Sequence, residues 1–287
     1  MKHHHALALL LAFLPLGAQA ALVRPAPTPI QASKIVLVGD STTAVNSGWG
    51  GAFCAHHVTS ALTCTNLGRG GRSTYSYRAE GAWDIALEEM RSSRYAHVWV
   101  LVQFGHNDQP GKPERSTDLA TEFPANLARY IADIRSTGAT PVLVTPLTRR
   151  QFDDGVLRDD LAPWAAQIRA VAEQHQVPLI DLHARSRAVV QGMGPVLSMQ
   201  LAQRPPSASQ VAAAQDGDSL EVPAATPSTA PQPPLPGPDP GAQNTMATAK
   251  LAFDHTHLGP GGAALFSAIV ADELARQLPA LRPLLIP

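Results

Sequence analysis

Lys34-Ile35-Val36-Leu37-Val38-Gly39-Asp40-Ser41-Thr42 runs from a short apolar stretch rich in β-branched residues into a glycine and a polar triplet. Apolar runs of this length without polar alternation suit strands buried on both faces, as in a parallel sheet. Residues 98–104 (VWVLVQF), 141–145 (PVLVT) and 177–182 (VPLIDL) repeat the style. Between them lie helical patterns at 82–91, 123–137 and 161–174, and a last one at 260–278 opens with proline and glycines, as helix starts often do. Strand alternating with helix predicts a doubly wound α/β domain.

The flanking sequence sets the limits of that domain. Lys2 followed by an apolar run over 6–16 and then Ala18-Gln19-Ala20 reads as a signal peptide over 1–20, too short to span a bilayer. A linker over 21–33 then leads into a domain spanning 34–286. Within it, ten of the chain's 26 prolines fall in the 46 residues 203–248, with Ala, Ser, Thr and Gln filling most of the rest. Such a composition buries too little apolar surface to offset its ordering entropy, so 203–248 is expected to be a disordered insert. The chain carries a net charge of −1 and no basic stripe, which argues against nucleic acid. Export to the periplasm or medium puts Cys54 and Cys64 in an oxidising compartment. Their even count there favours a disulfide over two buried free thiols.

The polar residues at the strand ends carry the chemistry. Ser41 follows the first strand directly, and Gln103-Phe104-Gly105-His106-Asn107-Asp108 closes another. The carboxyl ends of parallel strands are where an open α/β sheet presents reactive groups. Asn107 can offer a side-chain N–H, and Gly71, in the glycine-rich loop 68–71, a backbone N–H. Near the C-terminus stands Asp254-His255-Thr256-His257. There Asp254 can accept from the far ring nitrogen of His257 while the near nitrogen takes the proton of Ser41. Nucleophile, base, orienting carboxylate and oxyanion donors together make an acyl-transfer constellation.

These blocks, in this order and spacing, resemble the SGNH (GDSL-type) hydrolases. More narrowly, Gly48-Trp49-Gly50, Gly71-Arg72-Ser73 with Ser76-Tyr77, and Asp254-His255-Thr256-His257 are similar to the rhamnogalacturonan acetylesterase family of carbohydrate esterases. The resemblance implies a three-layer αβα sandwich around a parallel, flavodoxin-like sheet, with no metal or other cofactor. It implies Ser41 as nucleophile, Asp254 and His257 as the rest of the triad, and the backbone of Ser41, Gly71 and Asn107 as the oxyanion hole. The implied activity is removal of acetyl groups from a plant-type polysaccharide, pectic in the first instance. An esterase for lipid or small acyl esters and a polysaccharide O-acetyltransferase are the rival readings. The chain is expected to act as a monomer, without a membrane span.

Other features weigh less. Gly217-Asp218-Ser219-Leu220 spells the superfamily's eponymous motif but has no preceding strand, so Ser219 is read as a coincidence. Asp254, His255 and His257 lack a further histidine cluster to complete a metal site. Glu88-Glu89 lies in a helical pattern where neighbours point in different directions. A Gly-x-Ser-x-Gly elbow is absent, against the ordinary α/β-hydrolase fold. Trp49, Arg72 and Tyr77, with Tyr75 and Arg78 beside them, are the candidates for substrate binding. Aromatic planes stack on sugar rings, and an arginine forks onto a uronate carboxylate.

Overall fold

The computed structural model describes residues 31–91, 94–220 and 253–286. The expected signal peptide (1–20), most of the linker, and 221–248 of the insert lie outside the described residues. In chain order the elements are β1 (Ser33–Gly39), α1 (Gly50–His56), β2 (Leu62–Asn66), α2 (Ser76–Ala79), α3 (Ala82–Met90), β3 (Val98–Gln103) and α4 (Glu122–Ser136). Next come β4 (Thr140–Val144), the two-residue strands β5 (Phe152–Asp153) and β6 (Val156–Leu157), and α5 (Ala162–Gln174). The chain then forms β7 (Leu179–Ile180), α6 (Leu182–Ser198), α7 (Ala208–Gln215) and α8 (Pro260–Gln277).

Five strands form one parallel sheet in the order β2-β1-β3-β4-β7, while β5 and β6 pair as a small antiparallel hairpin. Side chains alternate across the sheet, which is why an unbroken apolar run serves both faces. On one face Ile35, Leu37, Trp99, Leu101, Val142 and Val144 pack with Phe53 of α1, Leu182 and Val190 of α6, and Phe266, Val270 and Leu274 of α8. On the other, Val36, Val38, Val100, Val102 and Leu143 meet Trp83 of α3, Leu127 and Ile131 of α4, and Trp164 and Ile168 of α5. Each such side chain contributes about 1.5–3 kcal/mol when fully buried. The result is a three-layer αβα sandwich with flavodoxin-like strand order. Its order reverses between β1 and β3, and there the carboxyl ends are level, with Gly39 opposite Gln103.

Three elements escape a periodicity reading. Strand β2 is a short edge whose Leu62 is buried and Thr63 exposed, and a disulfide from Cys64 to Cys54 ties it to α1, Cα to Cα 5.4 Å. Helix α6 kinks at Gly194 (φ 71°) ahead of Pro195. The third corrects the expected insert: 203–220 is folded. Ser207 and Gln210 form a reciprocal capping box that starts α7, and Ala214 packs with Met199 and Phe253. Beyond it the chain joins the β5–β6 hairpin. Gly155 N–H donates to Gly217 O (2.9 Å), and Ser219 N–H to Phe152 O (3.1 Å).

Candidate active site

Directly after β1 the chain turns on Asp40, a fully buried carboxylate. Its Oδ1 accepts from Thr42 N–H and Thr42 Oγ1, each at 2.8 Å. That turn lifts Ser41, 8% exposed, above the sheet end. Gln103 at the end of β3 fixes the turn from below: its Oε1 accepts from Thr43 Oγ1 (2.5 Å) and from Trp49 Nε1 (2.8 Å). The following loop then closes over the Ser41 turn, where a Cβ on Gly48 would lie 2.1 Å from Thr42 O, so only glycine fits.

The Asp254–His257 loop arrives from the other end of the chain. Asp254 Oδ1 accepts from the N–H groups of Thr256 (2.8 Å) and His257 (2.7 Å), and its Oδ2 lies 2.7 Å from His257 Nδ1. Ionised Asp254 is only an acceptor, so Nδ1 carries the proton and Nε2 presents a lone pair. That lone pair faces Ser41 Oγ at 2.9 Å. Burial pushes the Asp254 carboxyl up, but the bonds and charge of His257 and the two backbone donors hold it below the ordinary carboxylate range. The structure thus brings Ser41, His257 and Asp254 into one hydrogen-bonded line.

Arg150 positions this loop and is the residue that sequence reasoning missed. It is 1% exposed, and its guanidinium donates to the carbonyls of Asp254 (3.0 Å), His257 (2.9 Å) and Thr256 (3.2 Å). Its backbone N–H donates to His255 O at 2.8 Å. Burial pushes Arg150 down to about 10, which leaves it charged at neutral pH. No motif marks it, since a surface arginine and a buried one look alike in sequence. His255 turns away from the line, with Nε2 3.1 Å from Leu220 O and its ring edge-on to Phe253.

The groups expected to hold an oxyanion are Ser41 N–H, Gly71 N–H and Asn107 Nδ2. Among the described residues no acceptor is bonded to the backbone N–H of Ser41 or of Gly71. Gly71 has φ 77°, a conformation that favours glycine. Asn107 Nδ2 donates one hydrogen to Arg72 O at 3.0 Å and keeps a second to offer. Below it, Asp108 is fully buried and accepts from Thr74 N–H (3.0 Å), Thr74 Oγ1 (2.5 Å), Thr117 Oγ1 (3.2 Å) and Gly105 N–H (3.1 Å). His106 packs against Asp40, Nδ1 to Oδ2 3.4 Å. Burial pushes its imidazole below the ordinary value against the pull of that carboxylate.

The substrate-binding expectation is corrected at all three residues. Trp49 is 0% exposed, committed to Gln103 and edge-on to Phe53. Tyr77 is equally buried, its hydroxyl donating to Leu67 O at 2.8 Å and its ring against Phe104. Arg72, 5% exposed, spends its guanidinium on Glu80 Oε2 (2.7 Å) and Gly70 O (2.9 Å). Arg78 is likewise occupied, paired with Asp133 and lying over the Tyr130 ring. Of the flanking aromatics only Tyr75 stands exposed. Among the described residues no cluster of three His, Cys, Asp or Glu is arranged to hold a metal ion, and no helix is long and apolar enough to cross a membrane.

Comparison with known proteins identifies the family. The profile of the GDSL-like Lipase/Acylhydrolase family matches residues 37–206. Two proteins of Bacillus subtilis (strain 168) are each 34% identical to the chain. One is the probable rhamnogalacturonan acetylesterase YesY, over 163 residues, 55% of this chain and 73% of YesY. The other is the rhamnogalacturonan acetylesterase RhgT, over 181 residues, 60% of this chain and 73% of RhgT. The solved structure of the Bacillus subtilis protein YxiM shares the fold, with a TM-score of 0.59 and 21% identity over 87% of this chain. The chain spans 58% of that structure. With more than half of its length matched to the profile, the chain is a carboxylic ester hydrolase of the GDSL-like lipase/acylhydrolase family.

Proposed function

We propose that the protein is an exported serine acetylesterase that deacetylates a pectic polysaccharide, rhamnogalacturonan in the first instance. The observation that carries the reading is the line from Ser41 Oγ to His257 Nε2 at 2.9 Å and from His257 Nδ1 to Asp254 Oδ2 at 2.7 Å. Ser41 Oγ attacks the acetyl carbonyl as its proton passes to His257 Nε2, and Asp254 steadies the imidazolium. The tetrahedral oxyanion takes hydrogen bonds from Ser41 N–H, Gly71 N–H and Asn107 Nδ2. Collapse breaks the ester bond, and His257 hands its proton to the departing sugar oxygen. Water, deprotonated by the same nitrogen, then attacks acetyl-Ser41; the Ser41 Oγ–acyl bond breaks, His257 returns its proton to Ser41 Oγ, and acetate leaves.

The names of YesY and RhgT support an acetylated pectic substrate. Tyr75 supports a sugar ligand, as an exposed aromatic following the oxyanion loop. Export rests on the leader-like 1–20 segment and on the Cys54–Cys64 disulfide. The test is acetate release from acetylated rhamnogalacturonan and acetylated xylan, alongside an acyl-length series of simple esters. Faster release from the rhamnogalacturonan is expected. A preference for xylan moves the substrate to another polysaccharide, a preference for long acyl chains makes the protein a lipid esterase, and acetyl transfer to a glycan outpacing hydrolysis makes it a transferase.

A further inference from the structure

Arg72 touches two of the three donors of the proposed oxyanion hole. The peptide between Gly70 and Gly71 offers its N–H to the oxyanion, and the carbonyl of that same peptide accepts from Arg72 Nη1 at 2.9 Å. A peptide unit is planar, so a bond that fixes its carbonyl also fixes the direction of its N–H. A cationic donor on the oxygen also draws density from the nitrogen and strengthens the N–H as a donor, as in any chain of coupled hydrogen bonds. The backbone of the same residue serves a second donor: Arg72 O accepts from Asn107 Nδ2 at 3.0 Å. Because a carbonyl can only accept, this bond sets which end of the Asn107 amide is nitrogen. The guanidinium is steadied by Glu80 Oε2 on Nε at 2.7 Å, and Glu80 sits on the rim with its side chain 42% exposed.

We infer that Arg72, held by Glu80, is a positioning residue that aims and polarises the Gly71 N–H of the oxyanion hole, rather than a contact for the substrate's charge. The inference rests on the active-site reading proposed above. It separates two roles that ordinary activity loss would confuse, because a substrate-binding arginine acts on KM for charged substrates while a hole-positioning one acts on the transition state of every ester.

The experiment uses the full chain with Arg72→Met, Arg72→Lys and Glu80→Gln, each of which leaves Arg72 O or its equivalent to Asn107. Rates are measured on a neutral chromogenic acetyl ester and on acetylated rhamnogalacturonan, and affinity is measured for a boronic acid that forms a tetrahedral adduct on a serine. Removing an oxyanion donor outright costs about 10²–10³-fold in kcat, so weakening one in Arg72→Met should cost about 10–100-fold. KM should stay within about threefold, the loss should be equal on both substrates, and boronate affinity should fall in parallel. Arg72→Lys should recover part of the loss, and Glu80→Gln should show a smaller one of the same pattern. Unchanged kcat in Arg72→Met, or a loss confined to the acidic polymer, overturns the inference. Should Arg72→Met fail to fold by circular dichroism, an unaltered kcat and boronate affinity in Glu80→Gln overturns it instead. Ser41→Ala separates the two levels. If it keeps turnover, the active-site reading falls; if it is inactive while Arg72→Met is fully active, only the positioning role falls.

Discussion

Gly39-Asp40-Ser41-Thr42 and Gly217-Asp218-Ser219-Leu220 begin with the same three residues and have opposite fates. The first follows a central strand of a parallel sheet. Asp40 is buried there and spends Oδ1 on its own turn, while the Ser41 hydroxyl is left to His257. The second follows α7 and lies along a two-stranded hairpin. Asp218 Oδ1 accepts from Asp154 N–H (2.9 Å), and Ser219 Oγ accepts from Phe152 N–H (3.0 Å). One serine has its oxygen aimed at a base, and the other has its oxygen consumed by backbone. The letters are shared; the second serine is a structural clip, a more definite role than coincidence. A motif acquires chemistry only from the strand beneath it and the groups that arrive from elsewhere in the chain.

Paired substitutions can break or sharpen this contrast. Ser41→Ala should lower kcat on a chromogenic acetyl ester by about 10⁴-fold or more, as loss of a triad nucleophile does elsewhere. Ser219→Ala should leave kcat within about twofold while costing about 1 kcal/mol of stability for the stranded Phe152 N–H. Equal activity losses would erase the distinction.

The floor beneath the first motif should also respond to pH. Burial pushes the Asp108 carboxyl up to about 7, against the bonds from Thr74 and Thr117 and with Asp40 pushing the same way. The folded protein therefore keeps a proton that the unfolded chain releases above about pH 4. This contribution to stability is fully present below about pH 4 and is lost as the pH rises through about 7. Unfolding free energies of wild type, referenced to Asp108→Asn at each pH, should fall across that window by at most on the order of 4 kcal/mol. A level difference from pH 4 to 8 would show that Asp108 titrates as an ordinary carboxylate.

A smaller contrast separates the two aspartates. Asp40→Asn exchanges a buried charge that bonds Thr42 and faces His106, and should cost about 2–3 kcal/mol in urea unfolding. Asp218, on the surface, should cost under about 0.5 kcal/mol as Asn. Similar values would mean that burial does not distinguish the motifs.

Much of this was legible in the sequence. The strands ending at Gly39 and Gln103 were visible as apolar runs, and the nucleophile and oxyanion blocks were visible because they follow such runs. Strand β2 was hidden because an edge strand needs only one buried face, and Leu62-Thr63-Cys64-Thr65-Asn66 reads as polar. Helix α7 was hidden by composition, although Ser207 and Gln210 had the spacing of a capping box. Trp49, Tyr77 and Arg72 were misjudged for another reason. Proximity to the catalytic blocks in sequence does not say which way a side chain faces, and the sheet end drew all three inward. Arg150 carried no signal, because its work depends on four carbonyls that lie about a hundred residues further along the chain.

That clamp has a consequence for how the chain can be assembled. Arg150 grips the carbonyls of residues 254–257, Ser47 O accepts from Leu258 N–H (2.9 Å), and Leu201 O accepts from Gly259 N–H (2.9 Å). Helix α8 then buries Phe266, Val270 and Leu274 in the core. All these anchors lie before residue 221, and everything they hold lies after 252. Contacts with the first part of the chain therefore hold the Asp254–His257 loop in place. Cut within 221–252, the protein becomes two polypeptides in which the longer carries the serine and the shorter the histidine. On the mechanism proposed above neither should turn over an ester alone, and hydrolysis restored on mixing the two would make the pair a complementation reporter.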